Sequence, residues 1–384
     1  MTSTEPEPSG GASPEPPQTK AETIAPSAPP QPAPVPAEPP SLLRRTLGPA
    51  IKFGIAAALL YYVLNTKMTD DAKKELKHIF VDAPSVLAWA IAAYSVQIFI
   101  GAYRMRLLLE PQGVQIGYFQ SLRLTYLGAF FDTFMITSVG GDAVKAIYLA
   151  RECPAGKRLE GVSILLLDRL MGLLGLLTLM VGMTVAYLPQ LSADPAIQPQ
   201  LKWLFIVPLM LLIGTAMLLS SRMYGFFSRL MAQAQHYSLL RRLAPLAATV
   251  DRVYATLQKF RNRPLVLLQT WGLSILVHLF GVICGYVLVG GMGQGEKAFG
   301  PFLVAWFVAN FVCSFAPAGG IGLGQALYNP IFLKIADIQN GWVLATAVQA
   351  TAILAKTPGL FAWLGSRENP NLPGPENPKD NSVM

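Results

Sequence analysis

Charge is scarce in this chain. Of 384 residues only 14% are Asp, Glu, Lys or Arg, against about a quarter in a soluble domain. A larger core cannot explain the shortfall, because a soluble fold of any size keeps a surface that water must wet. Much of the surface must instead meet lipid, which argues against a soluble enzyme. Cysteine and histidine are equally sparse. Cys153, Cys284 and Cys313 are far apart, and two of them sit in apolar runs, so neither a disulfide framework nor a zinc pattern is visible. His78, His236 and His278 are scattered as well and argue for no metal site. No P-loop, zincin motif, nucleophile elbow or triad spacing is present. The sequence therefore predicts no cofactor, no metal and no enzymatic activity.

What fills the gap is apolar. Hydrophobic residues make up 52% of the chain, and several runs reach about 20 residues, the length that spans a hydrocarbon core of about 30 Å. The expected fold is all-α, a polytopic transmembrane helical bundle. Residues 1–40 differ from the rest: they hold 13 of the 31 prolines, five Glu and one Lys. Such a segment cannot bury enough apolar surface to offset its ordering entropy and is expected to be a disordered tail. It has no basic start and no apolar stretch, so it does not read as a signal peptide. The transmembrane domain is placed at 41–366, with a second disordered tail at 367–384. Since the first tail is acidic, the net charge of +8 resides in the remainder. Basic cytoplasmic loops account for it, and no nucleic-acid partner is needed.

Hydropathy marks eight segments: A (46–65), B (84–103), C (118–138), D (162–188), E (201–220), F (264–290), G (299–315) and H (341–364). The loop 221–263 carries eight basic residues, among them Arg241, Arg242 and Arg261, and is placed in the cytoplasm. An amphipathic helix on the membrane surface or a plain solvated helix both suit it. With that loop inside, D runs outward, B ends inside at Arg104 and Arg106, and A runs outward from Arg44 and Arg45. The N-terminus is then cytoplasmic, in a multi-pass protein of the cell's inner membrane. Only Lys67, Lys73, Lys74 and Lys77 go against this, diluted by Asp70, Asp71, Glu75 and Asp82. Segments C and G must each begin and end on one side. C would enter, break near Gly140-Gly141 and return, and G would do the same at Pro317–Gly322. Spanning helix, broken pair, spanning helix, twice and in opposite senses, is the pattern of an inverted repeat with discontinuous helices around a polar cavity. The plainer alternative is that C and G cross fully and their glycines are interfacial turns.

Chemistry-bearing residues concentrate around the first break. Asp142 stands where an N-cap belongs and Arg151 at the far pole of the same helix, so both suit simple capping. The same helix start, behind Gly140 and Gly141, can instead offer free N–H groups to an anion, with Lys145 one turn on. A phospholipid phosphate would be its natural guest. Asp168 and Arg169 lie about two turns inside segment D, where each charge costs on the order of 2.5–3.5 kcal/mol. Neighbours on a helix point about 100° apart, so each needs a partner from another helix. Arg104, Lys145 or Arg151 suit Asp168, and Asp142 or Asp132 suit Arg169; a purely structural ion pair is the plainer outcome. Elsewhere the plain reading is preferred: a hydrogen-bonded core role for His278, a packing face for Gly281 and Gly285, and snorkelling for Lys356.

The stretch FFDTFMITSVGGDAVKAIYLAR, followed by SILLLDRLMGLLGL, resembles the flippase-like transmembrane region of lysylphosphatidylglycerol synthases, a family with stand-alone and hopanoid-associated members. CSFAPAGGIGLGQALY resembles that family's second glycine-rich break, and Arg104 falls where the family tends to place an arginine. The likeness covers about residues 45–365. It implies movement of a lipid across the bilayer, in the family aminoacylated phosphatidylglycerol. It marks Gly140, Gly141, Asp142, Arg151, Asp168 and Arg169 as matched positions, with Gly319, Gly320 and Gln325 at the second break. Ile136 replaces a proline common there, and Gln325 an acidic residue that could have paired with a cationic headgroup. The expected function is thus a lipid translocase with membrane lipids as its partners, any lipid-modifying enzyme being a separate protein. The alternative is a non-transporting scaffold for such an enzyme, acting through the proline-rich tail or the basic loop.

Overall fold

The computed structural model describes residues 69–134, 140–154, 156–193, 198–218, 225, 229, 259–260, 263–294, 297–314 and 322–367. Segment A, the first tail, the second tail beyond Arg367, Gly319, Gly320 and nearly all of the basic loop lie outside these. No strand occurs among the described residues.

The first helix among the described residues, α1 (Asp70–Lys77), is short and charged. Thr69 caps it by accepting from the Ala72 N–H, with Asp70 and Asp71 in the first turn and Lys74 and Lys77 in the last. A π-helical turn, His78–Asp82, leads to α2 (Pro84–Leu109), whose proline sits where its missing N–H costs nothing. Then follow α3 (Tyr118–Phe134), α4 (Gly140–Glu152), α5 (Arg158–Ala186), the short α6 (Leu188–Ala193) and α7 (Gln198–Leu218). Beyond the basic loop come α8 (Pro264–Gly291), α9 (Phe299–Cys313), α10 (Leu323–Ala336), α11 (Gly341–Lys356) and α12 (Pro358–Arg367).

Among the described residues four helical stretches are long and apolar enough to cross a bilayer: Pro84–Gln112, Glu160–Ala186, Pro264–Gly291 and Gly341–Gly365. They correspond to segments B, D, F and H. Large apolar side chains on them, such as Trp89, Leu265, Leu268 and Phe361, are exposed, as a lipid-facing surface requires. The protein is a helical membrane bundle. Segments C and G are different. Their described parts are α3, with 17 residues before the undescribed stretch 135–139, and α9, with 15 residues shortly before the undescribed stretch 315–321. Each packs on the helix that follows its break, α3 on α4 and α9 on α10.

Two hydrophobic clusters hold the bundle together. One gathers Met105, Leu108, Leu109, Leu149, Ile164 and Leu167 from α2, α4 and α5. The other centres on α8 to α11, with Phe302, Trp306, Phe307 and Phe332, and Tyr328 stacks on Phe332 at 5.2 Å. Between them α2 lies along α8 in the most extensive helix contact among the described residues. Gly285 makes the α8–α9 approach possible, since a Cβ there would overlap the Trp306 ring; the expected packing role of this glycine stands.

Candidate functional site

α2 runs past the end of segment B to Leu109, so Arg104 sits within a helix rather than at its end. It is buried, and it points inward at α5 and α8. Its Nε donates to Asp168 Oδ1 at 2.8 Å and its Nη1 to Ser274 Oγ at 2.8 Å, while the Ser274 hydroxyl donates to the Thr270 carbonyl at 2.7 Å. The guanidinium crosses Gly172, where a Cβ would stand 3.5 Å from Nη1. His278 Nε2 bonds the Gly172 carbonyl at 3.0 Å, the core role expected for it. Both Arg104 and Asp168 are about nine-tenths buried as side chains.

Arg169, the next residue on α5, points elsewhere. Its Nε donates to Asp142 Oδ2 at 2.5 Å, and its Nη2 lies 3.9 Å from Asp132 Oδ1. Of the partners open to each charge in the sequence, the fold selects Arg104 for Asp168 and both aspartates for Arg169. α4 begins at Gly140, which corrects the expected place of Asp142: it is the third helical residue, not the N-cap. It still lies at the positive end of the helix. Gly140 and Gly141 are both buried, and Gly141 abuts α3 rather than facing open space. A Cβ on Gly141 would come 2.2 Å from the Gly128 carbonyl and 2.7 Å from Asp132 Cβ. Lys145, one turn on, is buried.

A cavity of about 700 Å³ opens onto these groups. Arg104, Asp142, Asp168, Arg169, His278 and Ser314 are its polar lining, and Val162, Leu165, Leu173 and Val277 are among its apolar walls. Asp142 follows the first break closely, and Ser314 immediately precedes the second. One cavity therefore reaches from the first glycine-rich break to the edge of the other.

Of the expected site residues, Gly140, Gly141, Lys145, Arg151 and Gln325 do not line the cavity. Arg151 is exposed at the end of α4, with its guanidinium 5.3 Å from the Tyr148 ring centroid, and does not line the cavity. Gln325 is buried, but its Oε1 accepts the Gly322 N–H at 2.6 Å. It braces the start of α10, where Gly322 adopts φ +82°, so its side chain is engaged by the backbone. Other residues join the site without having been expected there. Ser274 carried no sequence signal. Lys356 does not snorkel outward: its Nζ donates to Thr133 Oγ1 at 3.3 Å and lies 5.9 Å from the Tyr94 ring centroid. Its place at the end of α11, before Pro358, was the available hint. Among the described residues no group of three His, Cys, Asp or Glu could hold a metal ion.

A protein family described as the lysylphosphatidylglycerol synthase TM region matches residues 50–355 of this chain. No curated protein and no solved structure matches.

Proposed function

The chain belongs to the lysylphosphatidylglycerol synthase transmembrane-region family, and from that membership we propose that it is a lipid translocase rather than an enzyme. The headgroup enters the cavity between the two breaks while the acyl tails stay in the bilayer. The observation that carries this reading is the cavity itself: it joins Asp142, beside the first break, to Ser314, beside the second, across the Arg104–Asp168 and Arg169–Asp142 pairs. Charges within an apolar bundle cost several kcal/mol and mark substrate paths more often than structural accidents. The walls around them are apolar, as a route for an amphipathic guest needs.

The architecture supports the same reading. α2–α5 and α8–α11 match element for element: a long helix, a short pair about a break, a long helix. Their packing matches too, for α5 meets α8 while α11 meets α2. This is the arrangement expected of an inverted repeat, in which the two halves rock about a central site. The basic loop at 221–263 favours a cytoplasmic placement of that face in an inner membrane. An ion gradient or the gradient of the lipid itself would drive transport.

The test is transbilayer movement of fluorescent phospholipids and a hopanoid analogue in liposomes holding the purified full-length protein. Movement dependent on the protein, and lost in Asp168→Asn and Arg169→Gln with folding verified, is the expected result. Full activity in both variants removes the cavity from the pathway. No movement of any of these lipids by folded protein overturns the translocase reading and favours the scaffold.

A further inference from the structure

With one exception, the polar groups that line the cavity cannot change charge without breaking a bond that holds them. Arg104 and Arg169 keep their protons, as arginine does in proteins. Asp168 accepts from Arg104 and Asp142 from Arg169, so a proton on either carboxylate costs an ion pair. Ser314 is neutral and donates to the Asn310 carbonyl at 2.7 Å. The exception is His278. Imidazole is the side chain whose charge ordinarily changes between about pH 5 and 8.

The ring is held so that it can take up a proton in place. A carbonyl only accepts, so the Nε2 that lies 3.0 Å from the Gly172 carbonyl carries the hydrogen. Nδ1 of the neutral ring is then a bare acceptor, and it makes no hydrogen bond among the described residues. A proton added at Nδ1 leaves the Nε2 bond as it was. The packing role of His278 thus uses one ring nitrogen and leaves the other idle, in a residue of the cavity wall.

The charges nearby decide what such a proton does. Of the helices packed on α8, α2 brings Arg104 to the lining and α5 brings Asp168 and Arg169, while α9 and α11 add no charged group to it; Asp142 on α4 completes the charged lining. Arg104 acts on the imidazole electrostatically, for its guanidinium lies over Gly172, whose carbonyl holds His278. Arg104 Nη2 makes no hydrogen bond among the described residues. The ion pairs leave the lining neutral, so an imidazolium gives it a net positive charge beside Arg104. Like charges in a low-dielectric wall repel, and an anionic oxygen that accepts from both relieves them.

Resting on the translocase reading, we propose that His278 is a proton-binding site that couples lipid movement to proton movement. Nδ1 takes a proton from water in the cavity as a headgroup phosphate enters, and returns it to water as the headgroup leaves. No bond other than Nδ1–H forms or breaks. Proton uptake and headgroup entry favour each other by the same factor, whichever comes first.

Proton binding is measured apart from transport. The full-length protein, labelled with nitrogen-15 in its histidines, is titrated in neutral detergent by nuclear magnetic resonance, and His278→Gln identifies the signals of His278. The expected result is an Nε2–H ring at high pH that becomes imidazolium on acidification. Short-chain phosphatidylmethanol, whose only charge is its phosphodiester, should raise the titration midpoint by about one pH unit, a ten-fold gain in proton affinity. A ring that stays neutral throughout, or a midpoint that the lipid does not move, overturns the proposal. In liposomes, an imposed pH gradient should change the rate of protein-dependent movement of fluorescent phospholipids, and His278→Gln, whose amide can still donate to the Gly172 carbonyl, should lose that response. His278→Asn replaces it if the glutamine variant does not fold. A purely structural histidine would instead give a slower variant with the gradient response intact, which also overturns the proposal. Lipid-linked titration with no transbilayer movement refutes the translocase reading and leaves the proton site standing. Movement by the parent protein that ignores the gradient does the reverse.

Discussion

Asp168 and Arg169 are neighbours in sequence, yet their burial differs enough to separate their effects. Removing one member of a buried, hydrogen-bonded pair strands the other in low dielectric at a cost of about 3–5 kcal/mol. Asp168→Ala is therefore expected to lose stability on that scale, with Arg104 left uncompensated, and the double variant Arg104→Met, Asp168→Leu to recover much of it. Chemical denaturation in detergent measures both. Arg169 is half exposed, so solvent screens its pairing with Asp142, and Arg169→Gln is expected to cost no more than about 1 kcal/mol. A loss of transport in that variant is then a loss of function rather than of fold. The sequence made it legible that two charges within an apolar helix need partners from other helices. It could not choose the partners, because Arg104 lies 64 residues from Asp168 and Asp142 lies 27 from Arg169, and packing decides between Arg104, Lys145 and Arg151. Gln325 shows the converse: a polar residue at depth reads as a cavity group until a local N–H is seen to occupy it.

At the scale of elements, the four long spans were legible because an apolar run of sufficient length has few alternatives. For segments C and G the sequence offered both a re-entrant pair and a full crossing, and the packing of α3 on α4 and of α9 on α10 suits either. α1 was not foreseen as a helix, because among eight charge-rich residues only Ala72 and Leu76, four apart on one face, mark its apolar side; its Asp70–Lys73 and Asp71–Lys74 pairs are exposed and support it only weakly. The close approach of α3 and α4 is where one atom matters most. A methyl group on Gly141 would meet backbone at the Gly128 carbonyl, and backbone cannot swing aside as a side chain can. Gly141→Ala is expected to destabilise by about 1–3 kcal/mol and to part the two helices. Raised protease sensitivity between residues 128 and 145 would report the opening, and an unchanged digestion pattern would show that the seam is softer than its geometry implies.

Across the whole molecule, the end of the bundle that holds α1 is fastened by one carboxylate. Gln294 donates to Glu75 Oε1 at 2.8 Å, and Asn340 reaches both Glu75 oxygens at 3.3 Å. Gln294 also clasps the Gln339 backbone, donating to its carbonyl at 2.7 Å and accepting its N–H at 2.9 Å. His78 Nδ1 lies 2.7 Å from the Gly291 carbonyl. The approach to α2, the α8–α9 connection and the α10–α11 turn, where Asp337 and Asn340 adopt positive φ, thus meet at Glu75. Burial holds the Glu75 carboxyl above the usual glutamate range; the amides of Gln294 and Asn340 pull it down without prevailing, and Asp71 adds to the rise. The sign follows from linkage. A carboxyl raised in the folded state contributes stability that is fully present below the ordinary value of 4.5 and is lost as pH climbs through the raised folded value. Glu75→Gln stays neutral at every pH and keeps the shape of the protonated acid. The thermal midpoint of the variant in neutral detergent should therefore match or exceed that of the parent at pH 7.5, and the gap should close on acidification below 4.5. A parent more stable than the variant at neutral pH would mean that the amides favour the carboxylate more than burial opposes it, and that this fastening tightens rather than loosens as the proton leaves.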